Sequence, residues 1–137
     1  MIVYLDASVV IRKLQREAGS LAAWGQWDRA YSSELLRVEV FRAIDRSRLR
    51  AGLTDKEVAD LVEKAHAVFD RIEFVVISRP VLERAAQSFV TPLGTLDALH
   101  LATALRLIES GISLVFLTHD SELAMAARAL NFSVEGV

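Results

Sequence analysis

Ile2-Val3-Tyr4-Leu5-Asp6-Ala7-Ser8 opens the chain with a strand that has no polar face and stops at an acid. A short β-branched and aromatic run of this kind reads as a strand buried on both sides. Such strands belong to parallel sheets covered by helices, not to half-solvated antiparallel ones. The same signature returns at Phe74-Val75-Val76-Ile77 and Leu114-Val115-Phe116-Leu117, with shorter candidates at Tyr31-Ser32 and from Phe132 to Val134. About five parallel strands are expected.

Helical patterns fill the intervals. Ser8 is expected to cap a short helix through Val9, Val10 and Leu14, and Leu21, Trp24 and Trp27 recur at i, i+3 in a second helix from Leu21 to Ala30. From Ser33 to Ala51 strong helix formers run without Gly or Pro, and Gly52 supplies a left-handed C-cap. Thr54-Asp55-Lys56-Glu57 has capping-box spacing and opens a helix whose Val58, Leu61, Val62, Ala65 and Phe69 form one apolar stripe. Ser78-Arg79-Pro80 starts a helix towards Phe89, Thr95 caps one to Glu109 closed by Gly111, and the last runs from Ser121 to Leu130. Alternating strands and helices predict an α/β fold of three layers, with a central parallel sheet of about five strands flanked by helices.

Composition narrows the chemistry. At 137 residues and 53% hydrophobic, residues 1–137 are expected to form one domain. With no cysteine, any metal must be held by oxygen or imidazole. Asp6, Arg12 and Lys13 interrupt the apolar start, so no signal peptide is expected, and no apolar run approaches membrane-spanning length. A cytoplasmic protein is the expectation. The formal net charge of −2 gives no global attraction for nucleic acid, so any such contact must rest on local cations.

Four carboxylates stand where solvated surface charge is not expected. Asp6 follows the first strand directly and Asp120 comes three residues after Leu117, placing both at the carboxyl ends of parallel strands, where open α/β sheets bind ligands. Glu39 shares a helix face with Leu35, Leu36 and Ala43, and Asp97 lies in a first helical turn between Leu93 and Leu101. Taken singly, each has a bland explanation as a cap, a turn residue or half of an ion pair. Brought together at one sheet edge they repel, and a hard divalent cation such as Mg²⁺ or Mn²⁺ relieves that repulsion.

Leu5-Asp6-Ala7-Ser8, Ser33 to Glu39, Leu96-Asp97-Ala98-Leu99-His100-Leu101-Ala102-Thr103-Ala104 and Thr118-His119-Asp120 follow in an order that resembles the PIN-domain nucleases, and by length and spacing the VapC toxins of type II toxin–antitoxin systems. The resemblance spans essentially the whole chain. It implies a PIN-like fold and an Mg²⁺- or Mn²⁺-dependent endoribonuclease whose catalytic and metal-binding residues are Asp6, Glu39, Asp97 and Asp120, with Ser8 and Thr118 supporting them through hydrogen bonds. It also implies an RNA substrate, a cognate VapB-like antitoxin and a homodimer. The chain departs from the pattern after Asp120, where Ser121-Glu122-Leu123 replaces the further acid and aromatic that relatives often carry.

Arg12, Arg16 and Arg46 are candidates for holding the RNA backbone near the acids. For the basic helix that carries Arg37, Arg42, Arg46, Arg48 and Arg50, a solvated face paired with Asp45 and its neighbours is at least as good a reading. His100, three residues after Asp97, is within reach of the same site as a ligand or general base, with a structural role the preferred reading; His119 is assigned to solvent over RNA contact, His66 to no function, and Trp24 and Trp27 to packing or partner contact. The alternative function is a catalytically silent or non-toxin PIN-fold module for RNA binding or interaction. A phosphotransferase is disfavoured, because a dehalogenase type expects D-x-D where this chain has Asp6-Ala7-Ser8, and the receiver pattern of a central aspartate and late lysine is missing.

Overall fold

The computed structural model describes residues 1–15 and 21–137. Five strands, β1 (Ile2–Leu5), β2 (Arg29–Ser33), β3 (Ile72–Val75), β4 (Val115–Leu117) and β5 (Ser133–Glu135), form one all-parallel sheet in the order β3-β2-β1-β4-β5. The chain builds outward from β1 to β3, then crosses to β4 on the other side of β1. The topological switch point therefore lies between β1 and β4, and Asp6 and Asp120 follow those two strands.

Side chains alternate across β1 and divide the core in two. Val3 and Leu5 face a cluster built with α1 (Ala7–Leu14), α2 (Leu35–Ala51) and α3 (Asp55–Phe69), through Val9, Val10, Leu36, Val40, Ile44 and Phe69. Tyr4 faces the opposite cluster with Phe116, Phe132, and Leu101, Leu107 and Leu123 of α5 (Thr95–Glu109) and α6 (Ser121–Ala129). The short α4 (Arg79–Ala85) packs on α5. Each fully buried leucine, such as Leu36 or Leu101, contributes about 1.5–3 kcal/mol of burial. The three-layer α/β expectation holds, and among the described residues no helix is long and apolar enough to cross a membrane.

Local signals decide the element ends. Thr54 makes the full capping box with Glu57, and Gly52 closes α2 at φ 62°, as its position predicts. Ser78 accepts from Val81 N–H with Pro80 in the first turn of α4. Two caps move by small steps: Asp6, not Ser8, caps α1, and Gly94, not Thr95, precedes α5. β3 begins two residues before its apolar run, with Ile72 paired to Ala30, and ends two residues short of it: Val76 is exposed and Ile77 N–H bonds Glu34 Oε1 at 3.0 Å.

The helix expected from Leu21 to Ala30 is absent. Gly25 takes φ 80°, the segment from 22 to 28 is turn and bend, and β2 starts at Arg29. The Trp24 and Trp27 rings satisfy their i, i+3 spacing by packing edge to face, 5.3 Å between centroids, against the α1–α3 cluster. A cavity of about 600 Å³ bordered by Trp24, Trp27, Leu5, Val68 and Ile72 holds none of the four acids.

Candidate functional site

Asp6 is 2% exposed and is held by its own neighbourhood. Its Oδ1 accepts from Ser8 Oγ at 2.6 Å and from Val9 N–H at 3.3 Å, and its Oδ2 accepts from Thr118 Oγ1 at 2.7 Å. Burial pushes this carboxyl up from the ordinary range, while Ser8, His100, Thr118 and Val9 oppose the rise. Ser8 and Thr118 thus stand where the sequence reading placed them. Each also fixes the loop after β4, since Ser8 Oγ accepts from His119 N–H at 2.9 Å and Thr118 Oγ1 from Asp120 N–H at 3.0 Å.

Asp120 caps α6, its Oδ1 accepting from Leu123 N–H at 2.8 Å. Asp97 lies in the first turn of α5 and is half-buried. Its carboxyl is pushed up to about 6, first by burial and then by the negative charges of Asp120, Asp6 and Glu39, with His100 acting the other way. Asp97 therefore feels the charges of the other three acids named from the sequence.

Glu39 points inward as its helix face predicts, with its side chain 12% exposed. Its Oε2 lies 2.6 Å from His100 Nε2, and His100 Nδ1 lies 2.8 Å from the Tyr4 hydroxyl. Sequence reasoning preferred a structural role for His100 over a ligand or general base and passed over Tyr4. The available signal was a phenol in an otherwise aliphatic strand, because a buried Tyr needs a polar partner.

The sequence model of the PIN domain family matches residues 3–129. This chain belongs to the PIN domain family. It is 34% identical to Ribonuclease VapC45 of Mycobacterium tuberculosis (strain CDC 1551 / Oshkosh) over 138 residues, 93% of this chain and 90% of the relative. It is 33% identical to Ribonuclease VapC46 of Mycobacterium tuberculosis (strain ATCC 25618 / H37Rv) over 137 residues, 96% of this chain and 95% of that one. Among solved structures, the crystal structure of VapBC2 from Rickettsia felis bound to a DNA fragment from their promoter matches with a TM-score of 0.60 at 14% identity, over 98% of each chain. That likeness concerns the PIN fold.

The donor chemistry of this PIN domain fits a hard divalent cation. The groups acting on Asp97 are carboxylates, and after burial their negative charges are what raises it, a repulsion that a cation would offset. The fit is one of donor type: among the described residues, no group of three or more Asp, Glu or His side chains is placed so that it could hold a metal ion.

The basic residues divide. Arg42 pairs with Asp45 at 2.6 Å and Arg48 with Asp55 at 2.9 Å, while Arg37 lies 4.6 Å from the Phe74 ring centre, so these belong to the helix surface. Arg46 is exposed, two turns beyond Glu39 on α2, and Arg12 is half-buried in the last turn of α1. Arg16 lies outside the described residues. His119 does not face solvent as expected: its Nδ1 is 2.7 Å from Gly136 O, and its Nε2 is buried.

Proposed function

We propose that this PIN domain is the ribonuclease toxin of a toxin–antitoxin pair, and that it hydrolyses RNA phosphodiesters at the sheet edge where Asp6, Glu39, Asp97 and Asp120 face one another. The observation that carries the reading is the raised carboxyl of Asp97, whose causes include the other three acids. Support for the activity comes from the relatives named ribonucleases, which align along nearly the full chain. Support for a VapB-like antitoxin comes from the VapBC2 complex that shares the fold. A homodimer in the cytoplasm belongs to the same reading.

A phosphodiester is itself anionic, so four carboxylates alone would repel it. Asp6, Glu39, Asp97 and Asp120 are the residues that would hold Mg²⁺ or Mn²⁺. The chemistry such a cation supplies when bound is Lewis-acid chemistry: water made nucleophilic and charge on the attacked phosphate neutralised. The chain's own part is positioning. Ser8, Thr118 and Val9 N–H fix both oxygens of Asp6, and the same two hydroxyls tie the loop carrying Asp120 to the end of β1. Asp97 keeps a carboxyl at the positive end of α5, where a helix N-terminus offsets part of its repulsion. Arg12, Arg16 and Arg46 hold the RNA backbone beside the acids, which removing them together would weaken without changing cation affinity.

A silent PIN module is the second reading, favoured by two observations: protein donors already engage both Asp6 oxygens, and among the described residues no group of three or more Asp, Glu or His side chains is placed to hold a metal ion. Cleavage of an RNA panel with and without Mg²⁺ or Mn²⁺ separates the two. The nuclease reading expects cation-dependent cutting that disappears in Asp6→Asn and Asp97→Asn. Cutting that survives in both, or no cutting of any RNA by the wild type, rejects it.

A further inference from the structure

His100 is 1% exposed and uses both ring nitrogens, Nε2 toward Glu39 Oε2 at 2.6 Å and Nδ1 toward the Tyr4 hydroxyl at 2.8 Å. Tyr4 is fully buried, and its oxygen also accepts from Ser33 N–H at 3.1 Å. A carboxylate only accepts, so the ring hydrogen lies on Nε2 and is donated to Glu39. In the neutral ring Nδ1 is then an acceptor and takes the phenol hydrogen. Ser33 N–H, Tyr4, His100 and Glu39 therefore form one directional chain. It starts on β2, passes through β1 and α5, and ends on α2, joining the helices of the two layers.

We propose that Tyr4 and His100 are positioning residues for Glu39: they commit Oε2 to the imidazole and present Oε1 to the acidic edge. This deepens the nuclease reading and rests on it. Glu39 alone among the four acids lies past the first turn of its helix, with neither a strand end nor a capping position to orient it. A glutamate side chain has three rotatable torsions, and a charge-assisted hydrogen bond from a ring locked by burial holds one rotamer before any cation arrives. The ring cannot turn away without leaving the Tyr4 hydroxyl and Glu39 unpaired in the interior.

Two isosteric replacements in the full chain separate positioning from packing. Gln places its amide nitrogen near the Nε2 position and keeps the donor to Glu39, whereas Asn places its polar group near Nδ1 and keeps only the Tyr4 contact. With Mn²⁺ alone as the probe, titrated calorimetrically, His100→Gln is expected to stay within about 3-fold of wild-type affinity and His100→Asn to weaken it by about 10- to 100-fold. Urea unfolding reports whether each variant is folded. The wild type supplies a readout that needs no variant: in the metal-free protein, long-range nitrogen–proton spectra should show the His100 ring as a single form protonated at Nε2. A ring averaging between tautomers, or equal weakening by Gln and Asn, overturns the positioning role while leaving the nuclease reading standing. A fixed ring in a wild-type protein that binds no Mn²⁺ overturns the nuclease reading and reduces the chain of bonds to a structural bridge.

Discussion

Asp97→Asn should make the metal-free protein more stable at neutral pH while removing its activity. In the folded chain the Asp97 carboxyl titrates at about 6 against 3.8 for a free one, because burial and the charges of Asp120, Asp6 and Glu39 oppose its ionisation. The folded state thus binds the proton more tightly than the unfolded state. Stability from this group is fully present below about pH 4, is lost as pH rises through 6, and is flat above that. The gap corresponds to a ceiling of about 3 kcal/mol. Solvent around a half-buried carboxylate reduces that to about 1–2 kcal/mol. Replacing the charge also forfeits its attraction to the α5 N-terminus, about 0.3–1 kcal/mol, so the net gain expected for Asn at pH 7.5 is about 1 kcal/mol. In a domain of this size that is a rise of about 3–5 °C in Tm. At pH 4.5, where the folded wild type already holds the proton, only about a third of the electrostatic gain remains. Urea unfolding of both proteins with a chelator, at the two pH values, measures the difference. Adding millimolar Mg²⁺ should then reverse the order at pH 7.5, since only the wild type gains binding energy. If Asn is no more stable than Asp at pH 7.5 and the difference does not shrink at pH 4.5, the acids do not share a field and the site has been misread.

Two further substitutions probe the frame of the site. Thr118→Val removes a buried hydroxyl that donates to Asp6 Oδ2 and accepts from Asp120 N–H. Loss of about 1–3 kcal/mol in urea unfolding is expected, together with weaker Mn²⁺ binding, and a variant unchanged in both would remove Thr118 from the site. Gly136→Ala puts a Cβ 2.3 Å from Thr118 O at a φ of 106°. The end of β5 must then move away, at a cost of about 1–3 kcal/mol, with faster hydrogen exchange at Thr118 N–H, which is bonded to Glu135 O. Unaltered exchange there would show that the tail is not held against this loop.

The strands that bury both faces were legible because nothing else explains runs like Ile2-Val3-Tyr4-Leu5 or Leu114-Val115-Phe116-Leu117, and an acid at the end of such a run marks the ligand edge. β2 was harder. Its Arg-Ala-Tyr-Ser-Ser sequence has little apolar character, and Ser32 and Ser33 are tolerated at 0% exposure through tertiary bonds. Ser32 Oγ donates to Leu5 O at 2.6 Å, and at Ser33 the N–H donates to Tyr4 at 3.1 Å while the hydroxyl accepts from Leu35 N–H at 3.2 Å. The false helix before it followed from a real spacing with the wrong cause, since two indoles three residues apart pack edge to face as well in a turn as on a helix. Of the candidate site, the grouping of Asp6, Glu39 and Asp120 about Asp97 was legible from position, and the two hydroxyls that bond Asp6 from motif. The Tyr4–His100 link was not, because it joins residues 96 apart in the chain through a contact that only the assembled layers create.

Gathering four carboxylates at one edge is costly, and the parallel sheet reduces the cost by its own construction. Each of the strands β1 to β4 leads into a helix at the same side, so helix N-termini collect where the acids do. Asp6 caps α1, Asp120 caps α6 and Asp97 lies in the first turn of α5; each meets backbone N–H groups or a positive helix end worth about 0.3–1 kcal/mol. They do not cancel burial and the neighbouring negative charges at Asp97, whose carboxyl stays raised, so the metal-free edge keeps an appetite for positive charge. Glu39 is the exception. Placed within α2, it has no helix end to lean on, and its compensation must come from a side chain on the facing layer. A buried histidine at position 100 is what that exception requires, and a neighbouring residue able to fix its ring, Tyr4, follows from the same need.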